Sequence, residues 1–179
     1  VEYLKPLSVN EYQKAVSYVL NALSNQGDVE LSKVKNLESI TSTLSERFNL
    51  DFTFLISKYN LSTLNLSTGY SHGDLTPSNI MKNSKNNFVL IDLDRFSFSR
   101  ELCFDEIHFN VESSQNSKNW LVVLKDKLKA IELENSDINK SEISIYILYF
   151  IRRLSLEFEG DIYPVKSYRK KILSFISQL

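Results

Sequence analysis

The sequence predicts a mainly α-helical chain carrying one small β-hairpin, and three observations support that expectation. Glycine and proline, which punctuate a chain, number only four and three in 179 residues, so helices can run long. Apolar residues recur at i, i+3 and i+4 along most of the chain, the spacing that lines one face of a helix. Only residues 70–100 break this period. Hydrophobic residues make up 42% and charged residues 24%, an ordinary globular balance that excludes wholesale disorder.

The elements follow in order. Tyr12, Val16, Val19, Leu20 and Leu23 share a helical face, with Ser8 and Glu11 offering a capping box before them. Leu37, Ile40, Leu44 and Phe48 predict a second helix, and Phe52, Leu55, Ile56 and Tyr59 a third. Asn79 to Lys82 reads as a short strand, Asn83 to Asn87 as a polar turn, and Phe88 to Ile91 as a buried strand. A helical pattern resumes near Asp105. Leu121, Leu124, Leu128 and Ile131 mark a further helix, Ile143 to Phe158 the most strongly periodic one, and Tyr168 to Leu179 the last.

Charge and cysteine content narrow the function classes. Lys plus Arg is 21 against 22 for Asp plus Glu, which gives no electrostatic footprint for nucleic acid or an anionic membrane. One cysteine, Cys103, excludes an internal disulfide framework and fits a reducing compartment. The nearly apolar run Ile143 to Ile151 is closed by Arg152-Arg153 and falls short of the ~20 residues of a membrane span. No signal peptide is visible in the opening residues, and a cytoplasmic address is expected.

The stretch Ser71-His72-Gly73-Asp74-Leu75-Thr76-Pro77-Ser78-Asn79-Ile80-Met81, followed by Leu90-Ile91-Asp92-Leu93-Asp94, carries the chemistry. Asp74 and Asn79 are five residues apart across a loop stiffened by Pro77. Asn79 and Asp92 stand thirteen apart, but an antiparallel hairpin brings its two ends within about one strand spacing, ~4.8 Å. Oxygen ligands at ~2.1 Å from Mg²⁺ lie up to ~4 Å from each other, so an amide oxygen and a carboxylate at that end could hold one Mg²⁺. Asp74, one loop away, stands where a carboxylate must be to accept the proton of an attacking hydroxyl. Phosphoryl transfer asks for little beyond positioning and charge neutralisation.

His72-Gly73-Asp74 with Asn79 and then Ile91-Asp92 resembles the aminoglycoside phosphotransferase family, part of the protein-kinase-like superfamily. The resemblance implies an α+β fold of which this chain is the C-terminal, larger lobe, with the N-terminal lobe absent. Residues 1–7 would be hinge-like, 70–95 the catalytic loop and metal-binding hairpin, and 101–179 a helical subdomain. It implies that Asp74 is the catalytic base and that Asn79 and Asp92 hold Mg²⁺. Met81 would floor the adenine of ATP (or GTP), Ile91 would lie at its back, and the backbone of Glu2, Tyr3 and Leu4 would meet its edge. His72 would serve the loop's geometry. Gly73 stands where protein kinases usually carry arginine.

The implied activity is transfer of the γ-phosphate to a hydroxyl of a small molecule: a sugar, amino-sugar or amino-alcohol. Thr76 replaces the lysine that protein Ser/Thr kinases place two residues after the base, and no long activation segment follows Asp92; both argue against a protein substrate. No glycine-rich phosphate loop precedes the motif, so the partner implied is the missing N-terminal lobe, and the fragment alone is expected to turn over little or not at all. The alternative is a pseudokinase or interaction module. Thr76-Pro77-Ser78-Asn79 with Asp105 to Phe109 carries a weaker likeness to family members linked to surface polysaccharide synthesis.

Asp94, two residues past Asp92, offers either a second metal contact or a partner for Arg95 or Arg100, and the salt-bridge or loop-capping reading is favoured. His108 is expected to be a structural hydrogen-bonder, and Cys103, Trp120, Tyr146 and Tyr149 to pack. Arg153 and Glu157 stand at i,i+4 on an expected helix surface.

Overall fold

A computed structural model of the chain describes residues 4–25, 30–114, 119–133, 137–158 and 166–179. In chain order the elements are β1 (Lys5–Pro6), α1 (Tyr12–Ser24), β2 (Glu30–Lys33), α2 (Leu37–Phe48), α3 (Phe54–Lys58), β3 (Asn65–Ser71), β4 (Ile80–Lys82), β5 (Phe88–Leu90), β6 (Ser97–Glu101), α4 (Cys103–Ser113), α5 (Trp120–Leu133), α6 (Asp137–Glu157) and α7 (Lys166–Ile176). The fold is mainly helical with small antiparallel sheets. The expected helices and the hairpin are present. The chain divides into two compact units, Val1–Ser32 with Leu66–Ser117, and Lys33–Asn65 with Lys118–Leu179.

The first unit contains the hairpin. β4 and β5 pair with Ile80 opposite Leu90 and Met81 opposite Val89, and β1 adds to the other edge of β4. The turn is built by Asn83, whose Oδ1 accepts from the backbone N–H of Lys85 and of Asn87, and by Asn86 in the left-handed region at φ 60. Side chains alternate across a strand. Ile80 and Leu90 therefore face the core formed by Ala15, Val16, Val19, Leu23, Leu75 and Phe109, while Met81 and Val89 face the other way and remain half-buried. Ser8 and Glu11 do form the capping box, on the 3-10 turn ahead of α1.

A second sheet, with strand order β2-β3-β6, was not anticipated. Glu30-Leu31-Ser32-Lys33 is mostly exposed, and β3 alternates on small residues, with Leu66, Gly69 and Ser71 buried. Neither strand carries the β-branched or aromatic alternation that marks a strand in sequence. Between Gly69↔Arg100 and Ser71↔Ser97 the register slips, with one extra residue on β6, a bulge that bends the strand pair. This sheet delivers β3 directly into the His72-Gly73-Asp74 loop.

The second unit is a helical cluster around α6, which packs on α2 and α5. Its core is aromatic. Phe48 meets Phe158 edge-on at 5.1 Å, Phe150 lies 4.6 Å from Phe175, and Phe52 stacks on Phe150 at 6.2 Å. Asn49, left-handed at φ 48, ends α2. Arg153 does pair with Glu157 at 3.2 Å, but the pair is not on a helix surface. Arg153 is 8% exposed, lies over the Trp120 ring at 4.4 Å and donates to the Tyr149 hydroxyl at 2.7 Å. Tyr168 bridges Trp120 Nε1 and Glu157. Among the described residues, no helix is long and apolar enough to cross a membrane.

Candidate active site

The loop after β3 is fastened by a buried acid. Asp105, the third residue of α4 and 1% exposed, accepts from the backbone N–H of His72 through Oδ2 at 2.7 Å and from that of Gly73 through Oδ1 at 2.9 Å. A carboxylate in the first turn of a helix sits at the positive end of the macrodipole, and two N–H donors complete its compensation for burial. Sequence reasoning missed this role because an acid in a helix's first turn looks like a solvated cap. Its signal was the spacing to His108, one turn further on the same face.

Gly73 adopts φ +80, a region that L-residues avoid. A Cβ there would stand 2.3 Å from Arg100 Nη1 and 2.4 Å from the Arg95 carbonyl oxygen, so conformation and space both require glycine. Arg100 lies 6.0 Å from the Phe104 ring centroid, and its Nη1 is buried with no hydrogen-bond partner among the described residues. Asp94 is exposed and, among the described residues, forms no ion pair with Arg95 or Arg100. The Arg100 head group lies against Gly73 instead.

Three bonds draw the sequence-predicted residues together. Asn79 Nδ2 donates to the Asp74 carbonyl at 2.9 Å. The Ile91 N–H donates to the Asn79 carbonyl at 3.0 Å, extending the β4–β5 ladder by one rung. The Ile91 carbonyl accepts from His72 Nε2 at 2.9 Å, so that ring nitrogen carries the hydrogen. Ile91 is thus held on both sides, immediately before Asp92. Asp92 turns the chain off the ladder in the left-handed region at φ 57. The other described non-glycine residues with positive φ are all asparagines, the type that tolerates this region best. Asp92 is exposed.

The Asp74 side chain is 36% exposed, and its Oδ1 lies 3.0 Å from His108 Nε2. That hydrogen bond, followed by the charges of His108, Arg95 and His72, holds the Asp74 carboxyl below the ordinary aspartate range against the opposing effect of partial burial. Met81 is half-buried on the hairpin face opposite the core, and Ile91 continues the line of Val89 on that face. Leu4 is half-buried just before β1, while Glu2 and Tyr3 lie outside the described residues. Cys103 is set apart from this chemistry: burial, reinforced by Glu101, pushes its thiol up to about 11, and an unionised thiol is a poor nucleophile.

The donor types at the hairpin end, an amide oxygen and a carboxylate, are those that a hard divalent cation takes. One N–H of the Asn79 amide donates to the Asp74 carbonyl, and the amide oxygen is the atom a cation would take; the Asp92 carboxylate forms no hydrogen bond or ion pair among the described residues. Mg²⁺ takes oxygen ligands of these two kinds. Compared with protein-family models, with curated proteins and with solved structures, the chain matches none.

Proposed function

We propose that this chain is the catalytic lobe of a small-molecule kinase of the aminoglycoside phosphotransferase type. In this reading it transfers the γ-phosphate of a nucleoside triphosphate to a hydroxyl of a sugar, amino-sugar or amino-alcohol. The observation that carries the reading is the pair of bonds through Asn79, to the Asp74 carbonyl at 2.9 Å and from the Ile91 N–H at 3.0 Å. They tie the main chain of Asp74, Asn79 and Ile91 into one small region of one unit, with the partly exposed Asp74 side chain at one end and Asp92 following Ile91 at the other.

The acceptor hydroxyl lies against Asp74, which takes its proton as the oxygen attacks the γ-phosphorus. The new O–P bond forms in line with the breaking bond to the β–γ bridging oxygen, and the nucleoside diphosphate leaves. Asn79 and Asp92 are the residues that would hold Mg²⁺, which when bound supplies neutralisation of the phosphate charge. Met81, Val89 and Ile91 present an apolar surface on which a nucleotide base can lie. Asp105 keeps the loop in register through its two backbone bonds, and Thr76 stands where protein-directed kinases carry lysine.

The test is Mg²⁺-dependent phosphate transfer by the full-length protein to a panel of sugars, amino-sugars and amino-alcohols. Transfer to at least one, abolished in Asp74→Ala with nucleotide binding retained, is the expected result. A full-length protein that transfers to none and ignores Mg-ATP would point to a docking module instead.

A further inference from the structure

We infer that His108 is the positioning residue for Asp74, fixing its carboxylate so that one oxygen is engaged and the other faces the acceptor hydroxyl. This rests on the reading of Asp74 as the proton acceptor. His108 Nε2 lies 3.0 Å from Asp74 Oδ1, and because an ionised carboxylate can only accept, Nε2 donates. No other hydrogen bond to the Asp74 carboxylate is present among the described residues, so Oδ2 is left for substrate. The imidazole cannot swing away. Its side chain is 8% exposed, and it stacks nearly parallel on Phe104, with centroids 5.9 Å apart and planes 10° apart.

His108 follows Asp105 by three residues, so both project from one face of α4. Helix α4 therefore holds three consecutive residues of the loop: His72 and Gly73 by their backbone through Asp105, and Asp74 by its side chain through His108. A histidine that merely filled space would not need a ring nitrogen aimed at a carboxylate. A general base contributes only when its oxygen is within hydrogen-bond reach of the proton it removes, and a carboxylate free to rotate would meet that condition part of the time. The charged or titratable groups acting on Asp74 are His108 from α4, Arg95 from the segment after β5, and His72 from its own loop.

The experiment compares parent, His108→Leu, His108→Gln and Asp74→Ala full-length protein in Mg-ATP-dependent transfer to the best acceptor of the panel, with kcat and KM measured across pH. Gln places an N–H at about the reach of the imidazole Nε2, whereas Leu fills the space without a donor. His108→Leu should lower kcat by roughly tenfold or more, part of the ~10²–10⁴ that a positioned general base supplies, with the KM for ATP unchanged. His108→Gln should recover most of kcat. Should the Leu variant fail to fold, His108→Asn, whose amide stops short of Oδ1, takes its place. Loss of transfer in Asp74→Ala, with kcat in His108→Leu equal to the parent, overturns the positioning role alone; so does a Gln variant as slow as the Leu variant. Transfer that survives Asp74→Ala, or a parent that transfers nothing, overturns the functional reading and this role with it.

Discussion

In the unit built around α6, the buried Arg153 closes on side chains: Tyr149, Glu157 and the face of Trp120, with Tyr168 completing the circuit. In the unit that carries the hairpin, the buried Asp105 closes on backbone, holding two N–H groups of a loop. Beyond that loop, Asp74 and Asp92 stand partly or fully open to solvent. A polar network satisfied within itself fixes a core. A buried acid engaged with main chain fixes a loop and leaves neighbouring carboxylates outward, which is the form a site for chemistry takes. On the proposed reading one unit is structural and the other carries the transfer site, and that division can be broken in steps.

The largest effect should come from Asp74→Asn, which removes the proton acceptor while keeping shape. Transfer should fall by about 10²–10⁴, with the urea midpoint of the full-length protein nearly unchanged. Asp105→Ala comes next. It strands two buried N–H donors at ~1–3 kcal/mol each, so urea denaturation should report a loss of about 3 kcal/mol, and transfer should fall with it as the loop loosens. Gly73→Ala should cost about 2 kcal/mol from the left-handed backbone alone, with the clash against Arg100 and the Arg95 carbonyl adding to it. In the other unit, Tyr168→Phe removes the hydroxyl shared by Trp120 and Glu157 and should cost about 1–2 kcal/mol while leaving kcat untouched. If that variant lowers kcat and spares stability, the division of labour between the units is wrong.

The smallest effect is on pH. The Asp74 carboxyl is held below its ordinary range, so its stabilisation is present above the unfolded value of ~3.9 and is lost as pH falls through the lower folded value. Because the side chain is over a third exposed, that contribution stays under ~1 kcal/mol. It should be read as a shallower acid-side decline of the urea midpoint in Asp74→Asn than in the parent.

The helices were legible because their stripes are dense, as in Val16, Val19 and Leu23 or Leu44 and Phe48. The hairpin was legible because a polar asparagine turn separates Ile80-Met81 from Val89-Leu90. The β2-β3-β6 sheet was not, since β2 is mostly exposed and β3 buries small residues such as Gly69 and Ser71. Scarce glycine pointed to long helices, and Asn36, Asn49, Asn60 and Asn86 take left-handed positions that glycine often fills. Within the site, the Asp74, Asn79 and Asp92 spacing was readable along the chain. The grip of α4 was not, because Asp105 and His108 meet the loop across more than thirty residues, and no local pattern reports that distance. His108 drew the reading of a structural hydrogen-bonder; what the sequence did not reveal was that its partner is Asp74.

The most direct measurement is Mn²⁺ titration of the full-length protein with bound nucleoside diphosphate, followed by NMR line broadening. Resonances of Asn79, Asp92 and Asp74 should broaden first at substoichiometric Mn²⁺, and Asp92→Ala should remove that selectivity. Broadening that begins at carboxylates elsewhere, or that is indifferent to Asp92→Ala, would contradict a divalent-cation site at the hairpin end.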